Sequence, residues 1–236
     1  MYIDETYILL IIGAVITLLA SMKVKTTFKK YSMKHTANGL TGAEAARLVL
    51  RAYGIDDVCI NMVPGDLTDN YNPATKSLNL SSTVHDRASI GAVAVAAHEC
   101  GHAAQHHLGY GPLILRSKLV PFANIGSKLG IPLVIISWMF GLEFQMSNGS
   151  YFSLATIGIW IFSLAILFQI VTLPVEFDAS HRALTILQAE GILDDSEMKG
   201  ARKVLTAAAL TYVAAAASSV LQLLRLVLLN GKRSKR

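Results

Sequence analysis

The residues in this chain best placed to do chemistry are five in a row, His98-Glu99-Cys100-Gly101-His102. On an α-helix, side chains four positions apart share a face, with their Cα atoms about 6 Å apart. Both imidazoles can then reach one Zn²⁺, with Glu99 beside the metal's open side. Two histidines and a carboxylate leave a fourth position for a water. The ion lowers that water's pKa, and a glutamate outside the ligand set can accept its proton. A purely structural zinc site closes with four protein ligands and has no use for such a glutamate. The residues before His98 are small or apolar, with Gly91 as the one helix breaker, so the spacing predicts a helix over 88–109 that carries the motif.

The pattern still needs a third protein ligand. His106 lies two turns from His98, about 12 Å away, too far to share an ion. Leu108 occupies the position where a longer all-histidine pattern would need histidine. His85, His106 and His107 are read as surface or supporting histidines. The next acidic cluster is Glu176 and Asp178, within Val175-Glu176-Phe177-Asp178-Ala179-Ser180-His181-Arg182-Ala183-Leu184. Two positions apart on a helix, these carboxylates point about 200° apart, so only one can face the metal.

These groups must be positioned by the elements around them. Tyr7 to Met22 is uncharged and aliphatic, with Asp4 and Glu5 before it and Lys23, Lys25, Lys29, Lys30 and Lys34 after it. It is expected to be an uncleaved membrane anchor (residues 1–22) with the following segment, 23–118, on the cytoplasmic side. Thr41-Gly42-Ala43-Glu44 forms a capping box that opens an amphipathic helix. Val58–Val63 and Leu67–Tyr71 suit short strands, and Ser77–Ser82 alternates as a strand does. Residues 67–82 therefore read as a hairpin around the Asn72-Pro73-Ala74-Thr75 turn. Its free edge could hold an extended peptide, or the hairpin could be purely structural.

Residues 119–173 suit a transmembrane hairpin, with spans at about 129–146 and 151–173 joined by a turn at Ser147–Ser150. Basic residues Arg116, Lys118 and Lys128 precede it. Pro174 is expected to end the second span, and 174–203 is the segment that supplies the third ligand. Residues 204–229 form an apolar helix interrupted by Arg225, which spans, packs on the catalytic part or lies in the interface; residues 230–236 are a basic tail.

Composition agrees with a membrane protein. Hydrophobic residues are 53% and charged residues 16%, too apolar for an ordinary soluble domain. The net charge of +5 is clustered beside apolar runs, which argues for membrane orientation rather than nucleic-acid binding. The two cysteines, Cys59 and Cys100, are expected to be free thiols. The fold class is thus a mainly α membrane protein with a zincin-like helix and a small β-hairpin.

The chain resembles the bacterial neutral zinc metallopeptidase family, the YugP-like membrane metalloproteases, over nearly its whole length. The matching stretches are L-T-G-A-E at 40–44, V-P-G-D-L-T-D-N-Y at 63–71, A-A-H-E-C-G-H-A at 96–103 and L-P-V-E-F-D-A-S at 173–180. It is similar in plan to membrane zinc proteases of the CAAX-prenyl-protease type. That resemblance implies zinc on His98, His102 and Glu176, with Glu99 as catalytic base. In the CAAX type an aspartate four residues after the ligand glutamate is oriented toward a zinc histidine. This chain has Ser180 there and Asp178 two residues earlier, so either a hydroxyl or a carboxylate could take that supporting role.

Three functions fit the sequence unequally. The first is a multi-pass zinc endopeptidase of the cell membrane, acting on peptides or membrane proteins at the cytoplasmic face. Its oxyanion donor would be His181, Arg182 or Tyr212. A zinc-holding scaffold leaves Glu99 without purpose. A transporter lacks ionisable residues along its spans.

Overall fold

The computed structural model describes residues 4–145 and 151–233. Its elements run α1 (Tyr7–Ser32), α2 (Gly42–Ala52), β1 (Cys59–Val63), β2 (Asn70–Asn72), β3 (Ser77–Ser81), α3 (Ile90–His107), α4 (Gly111–Phe140), β4 (Glu143–Gln145), β5 (Tyr151–Ser153), α5 (Leu154–Ala189) and α6 (Asp195–Arg233). This is the mainly α membrane-type chain with small sheets that the sequence leads one to expect. Helices α1, α4, α5 and α6 are each long and apolar enough to cross a bilayer.

Several boundaries differ from expectation. α1 continues through its lysine-rich half to Ser32, well past Met22. The second span begins earlier, at Gly111, and ends at Phe140, because α4 absorbs Pro121 and Pro132 without breaking. Pro174 likewise lies inside α5 and does not close it. Proline removes one helical hydrogen bond, a cost of about 3 kcal/mol in a helix interior. The helix continues because the residues that follow it, Val175, Glu176, Ala179 and Ala183, are all buried in tertiary contacts. α6 begins at Asp195, where Asp194 accepts hydrogen bonds from the Ser196 and Glu197 amides. The expected turn at Ser147–Ser150 lies outside the described residues.

The chain divides into two compact units. One takes in Met1–Leu19, Leu115–Thr172 and Tyr212–Arg236. Its core joins Val134 of α4, Ala155, Ile159, Phe162 and Ile166 of α5 and Leu226 of α6. Within it, the end of α6 runs antiparallel beside the start of α1. The Arg225 guanidinium lies 4.4 Å from the centre of the Tyr7 ring, and Lys232 reaches Asp4 at 3.5 Å. The charge that interrupts the apolar run therefore has a cation–π partner. α6 is thus long and apolar enough to span, its second half is paired with α1, and its first half contributes Met198, Ala201, Val204 and Leu205 to the core of the other unit.

The other unit, Ala20–Ile114 with Leu173–Thr211, holds every candidate site residue except Tyr212. Its core gathers Val49 of α2, Leu78 and Leu80 of β3, Val93, Ala97 and Cys100 of α3, Leu187 of α5 and Leu205 of α6. The capping box forms as expected. Thr41 Oγ1 accepts from the Glu44 amide at 3.3 Å, and Glu44 Oε2 accepts from the Thr41 amide at 2.9 Å. The three-stranded sheet has the order β1-β3-β2, with β1 parallel and β2 antiparallel to β3. The hairpin is shorter than expected. Leu67 has a φ of 55°, a left-handed conformation incompatible with a strand, and pairing begins only at Asn70, opposite Asn79. Asn72 Oδ1 accepts from the Ala74 amide and shapes the turn. Cys59 and Cys100 are both free, the first exposed and the second buried.

Candidate metal centre

Helix α3 starts at a serine cap, where Ser89 Oγ accepts from the Ala92 amide at 3.2 Å. From there its faces are lined by Ala92, Val93, Ala94, Ala96, Ala97, Cys100, Ala103 and Ala104, all buried. Small side chains let neighbouring backbone come close, and Gly101 takes this furthest. A Cβ at that position would stand 2.5 Å from the Ala179 carbonyl oxygen of α5. The fourth residue of the motif is thus the point where α5 lies against α3, and Glu176 is one helical turn from that contact.

The consequence is a cluster of three ligand-type atoms. One each from His98, His102 and Glu176 lie within 4.8 Å of one another. Glu176 Oε2 is 3.3 Å from His98 Nε2 and 3.6 Å from His102 Nε2. Two donors on a tetrahedral zinc, each about 2.0–2.1 Å from the ion, stand about 3.3–3.4 Å apart. Glu176 is almost completely buried, and its Oε2 makes no hydrogen bond among the described residues. An unpartnered buried carboxylate oxygen is costly unless a cation meets it.

The far side of each imidazole explains why the Nε2 atoms face inward. His102 Nδ1 lies 3.0 Å from Gln105 Oε1. The amide orientation of Gln105 is fixed by its nitrogen, which donates to the Val175 carbonyl and to Asp178 Oδ2, both at 2.8 Å. Gln105 Oε1 can only accept, so His102 carries its proton on Nδ1 and presents a lone pair at Nε2. His98 Nδ1 is paired with Ser180 Oγ at 3.1 Å. Ser180 is four residues after Glu176 on α5, hence on the same face. Asp178 also accepts from Arg182 Nε at 2.6 Å, and the Arg182 guanidinium lies 5.7 Å from the centre of the Tyr110 ring. A hydroxyl therefore supports one histidine directly, while a carboxylate supports the other through Gln105. The donor set, its spacing and its supporting bonds suit a tetrahedral zinc with one position left for water.

Glu99 faces the sheet. Its Oε2 accepts from the Tyr71 main-chain N–H at 3.0 Å, and its Oε1 makes no hydrogen bond among the described residues. β2 is an edge strand of the sheet, and its N–H at Tyr71 is aimed at this carboxylate. The Tyr71 hydroxyl meets His106 Nδ1 at 2.9 Å, which gives His106 a supporting place outside the three-atom cluster. Near by, burial raises the Asp69 carboxyl above its usual range, and the Glu99 charge adds to the rise. The amide and hydroxyl of Ser81, from which Asp69 accepts, act the other way.

The remaining candidates separate. His85 pairs with Asp86, and His107 is exposed. His181 is exposed on α5, and Tyr212 belongs to the other unit. Arg182 is already engaged with Asp178. Gln105 and Gly101 were not singled out by sequence reasoning. The signal for Gln105 was its i+3 spacing from His102, on the same helical face.

Comparison with known proteins adds to this geometry. A family model described as "putative neutral zinc metallopeptidase" matches residues 6–231. The chain is also similar to a Bacillus subtilis (strain 168) protein named "Putative membrane protease YugP", with 46% identity over 215 residues, 90% of this chain and 92% of that protein. No solved structure matches it.

Proposed function

Since the chain belongs to the neutral zinc metallopeptidase family, we propose that it is a membrane-bound zinc endopeptidase using Glu99 as general base. The observation that carries this reading is the convergence of His98, His102 and Glu176 next to a half-buried Glu99. Zn²⁺, the family's metal, supplies Lewis acidity that activates a water and polarises the scissile carbonyl. His98, His102 and Glu176 would hold it, with Ser180 and Gln105 keeping the two imidazoles turned toward it.

Glu99 accepts the water's proton on Oε1, the oxygen left free by the bond from Tyr71, and passes it to the leaving amine. The Tyr71 N–H keeps the carboxylate from rotating away. An extended substrate lies along the β2 edge, held by main-chain hydrogen bonds. The active site faces the cytoplasm, because five lysines follow the first span and Arg116 and Lys118 lie in the first turns of α4.

The test is digestion of casein by the purified full chain, with new termini identified by mass spectrometry. Internal cuts that 1,10-phenanthroline abolishes and added zinc restores are expected. Release of terminal residues alone, or cleavage indifferent to the chelator, would contradict the reading.

A further inference from the structure

Away from the metal cluster, the same unit contains a cleft of ≈ 690 Å³ between the second half of α1 and the first half of α6. Its lining includes Lys23, Thr26, Thr27 and Lys30 from α1 and Lys199, Arg202, Lys203, Thr206, Ala207 and Leu210 from α6. Each set follows the i, i+3, i+4, i+7 spacing of one helical face. Two faces bearing five cations are therefore turned toward one space. The helices can sit this close because Gly200 has no side chain: a Cβ there would stand 2.8 Å from Tyr31 Cε1. The buried Tyr31 ring forms part of the lining.

Among the described residues, no acidic residue lines the cleft. None of the five cations forms an ion pair among the described residues, although Lys30 lies 6.0 Å from the centre of the Tyr31 ring. Thr27 and Thr206 make no side-chain hydrogen bond among the described residues. Orienting a span needs only a count of basic residues beside it. Lys25 and Lys29 meet that need from outside the cleft. The five exposed cations turned toward one space repel one another, and a bound anion would relieve that repulsion.

The position along the helices selects the kind of anion. Lys23 is the first charge after the apolar run of α1, and Lys203 is the last before the apolar run of α6. The cleft thus changes from cationic to apolar, at Ala207 and Leu210, where the chain enters hydrocarbon. Basic clefts between helices at this depth suit phosphate headgroups.

We propose that this cleft binds the phosphate of an anionic membrane lipid, with the first acyl carbons against Ala207 and Leu210. The lysines and Arg202 neutralise the phosphate, and the hydroxyls of Thr27 and Thr206 donate to its oxygens.

Native mass spectrometry of the detergent-purified full chain, titrated with phosphatidylglycerol or phosphatidylcholine, tests this. Wild type should retain one phosphatidylglycerol in preference to phosphatidylcholine. Lys199→Gln/Lys203→Gln and, separately, Lys23→Gln/Lys30→Gln should weaken it roughly thirtyfold, about fivefold for each cation removed. The charge-matched control Lys25→Gln/Lys29→Gln should stay within about twofold, since those charges act only from a distance. Glutamine keeps helix propensity, and thermal unfolding checks that all three pairs fold alike. Equal weakening in control and cleft pairs, or equal retention of phosphatidylcholine, would overturn the proposal. Displacement of the lipid by inorganic phosphate at the same concentration would overturn the lipid assignment in favour of a free anion.

Discussion

Replacing Gln105 by methionine separates the hold on His102 from the fold around it. The amide makes three bonds: to His102 Nδ1 at 3.0 Å, to the Val175 carbonyl at 2.8 Å and to Asp178 Oδ2 at 2.8 Å. Gln105 is fully buried, so no water replaces these partners without rearrangement. A neutral bond contributes about 1 kcal/mol net and one to a charged group about 1.5–3 kcal/mol. Gln105→Met should therefore lower the stability of the zinc-free chain by roughly 3–5 kcal/mol. Only the bond to His102 bears on the metal, and loss of such a support weakens zinc binding about 10–100-fold. Ser180→Ala removes the corresponding bond to His98 and nothing else in the network, so zinc should weaken similarly at a stability loss of about 1 kcal/mol. The assays are competition of zinc with a fluorescent chelator and thermal unfolding of zinc-free protein. If Gln105→Met binds zinc within threefold of wild type, the amide does not set the His102 tautomer.

Other variants test neighbouring steps. Gly101→Ala places a methyl 2.5 Å from the Ala179 carbonyl oxygen and should destabilise by about 1–3 kcal/mol while lowering zinc content; a wild-type melting curve would refute the α3–α5 contact. Glu176→Ala should lose the ion, whereas Asp178→Ala, which touches the site only through Gln105, should retain most of it by atomic spectroscopy. The opposite result would move the ligand by two residues. In intact cells, an impermeant maleimide should label Glu143→Cys and not Lys30→Cys on a background without native thiols; the reverse would invert the topology.

Where a feature depended on local pattern, the sequence carried it. The motif helix and the Thr41–Glu44 cap follow from spacing and capping, and the existence of four apolar helices and of a hairpin follows from pattern, though not the ends of α1 and α4 or the start of the hairpin. What depended on tertiary partners was not visible. Pro174 reads as a helix stop, and only the buried contacts of Val175 and Ala179 show why α5 continues. Leu67 looks like a strand residue by its side chain, yet the turn before Asn70 gives it a left-handed backbone. The sequence leaves the partner of one zinc histidine open between Ser180 and Asp178. The structure uses both, because Gln105 bonds to His102 and to Asp178, 73 positions further along the chain. A glutamine three positions past a ligand histidine was readable; its partners on α5 were not.

The central claim is that Glu99 moves a proton and does not hold the metal. It is tested most directly by zinc content and casein cleavage measured on one preparation of Glu99→Gln. The amide is nearly isosteric, and its oxygen can still accept from the Tyr71 N–H, so the site should keep its shape. The account predicts zinc equal to wild type and cleavage reduced by about 10²–10⁴-fold. Cleavage at the wild-type rate would remove Glu99 from the mechanism, and loss of zinc would make Glu99 a ligand and contradict the three-residue metal site.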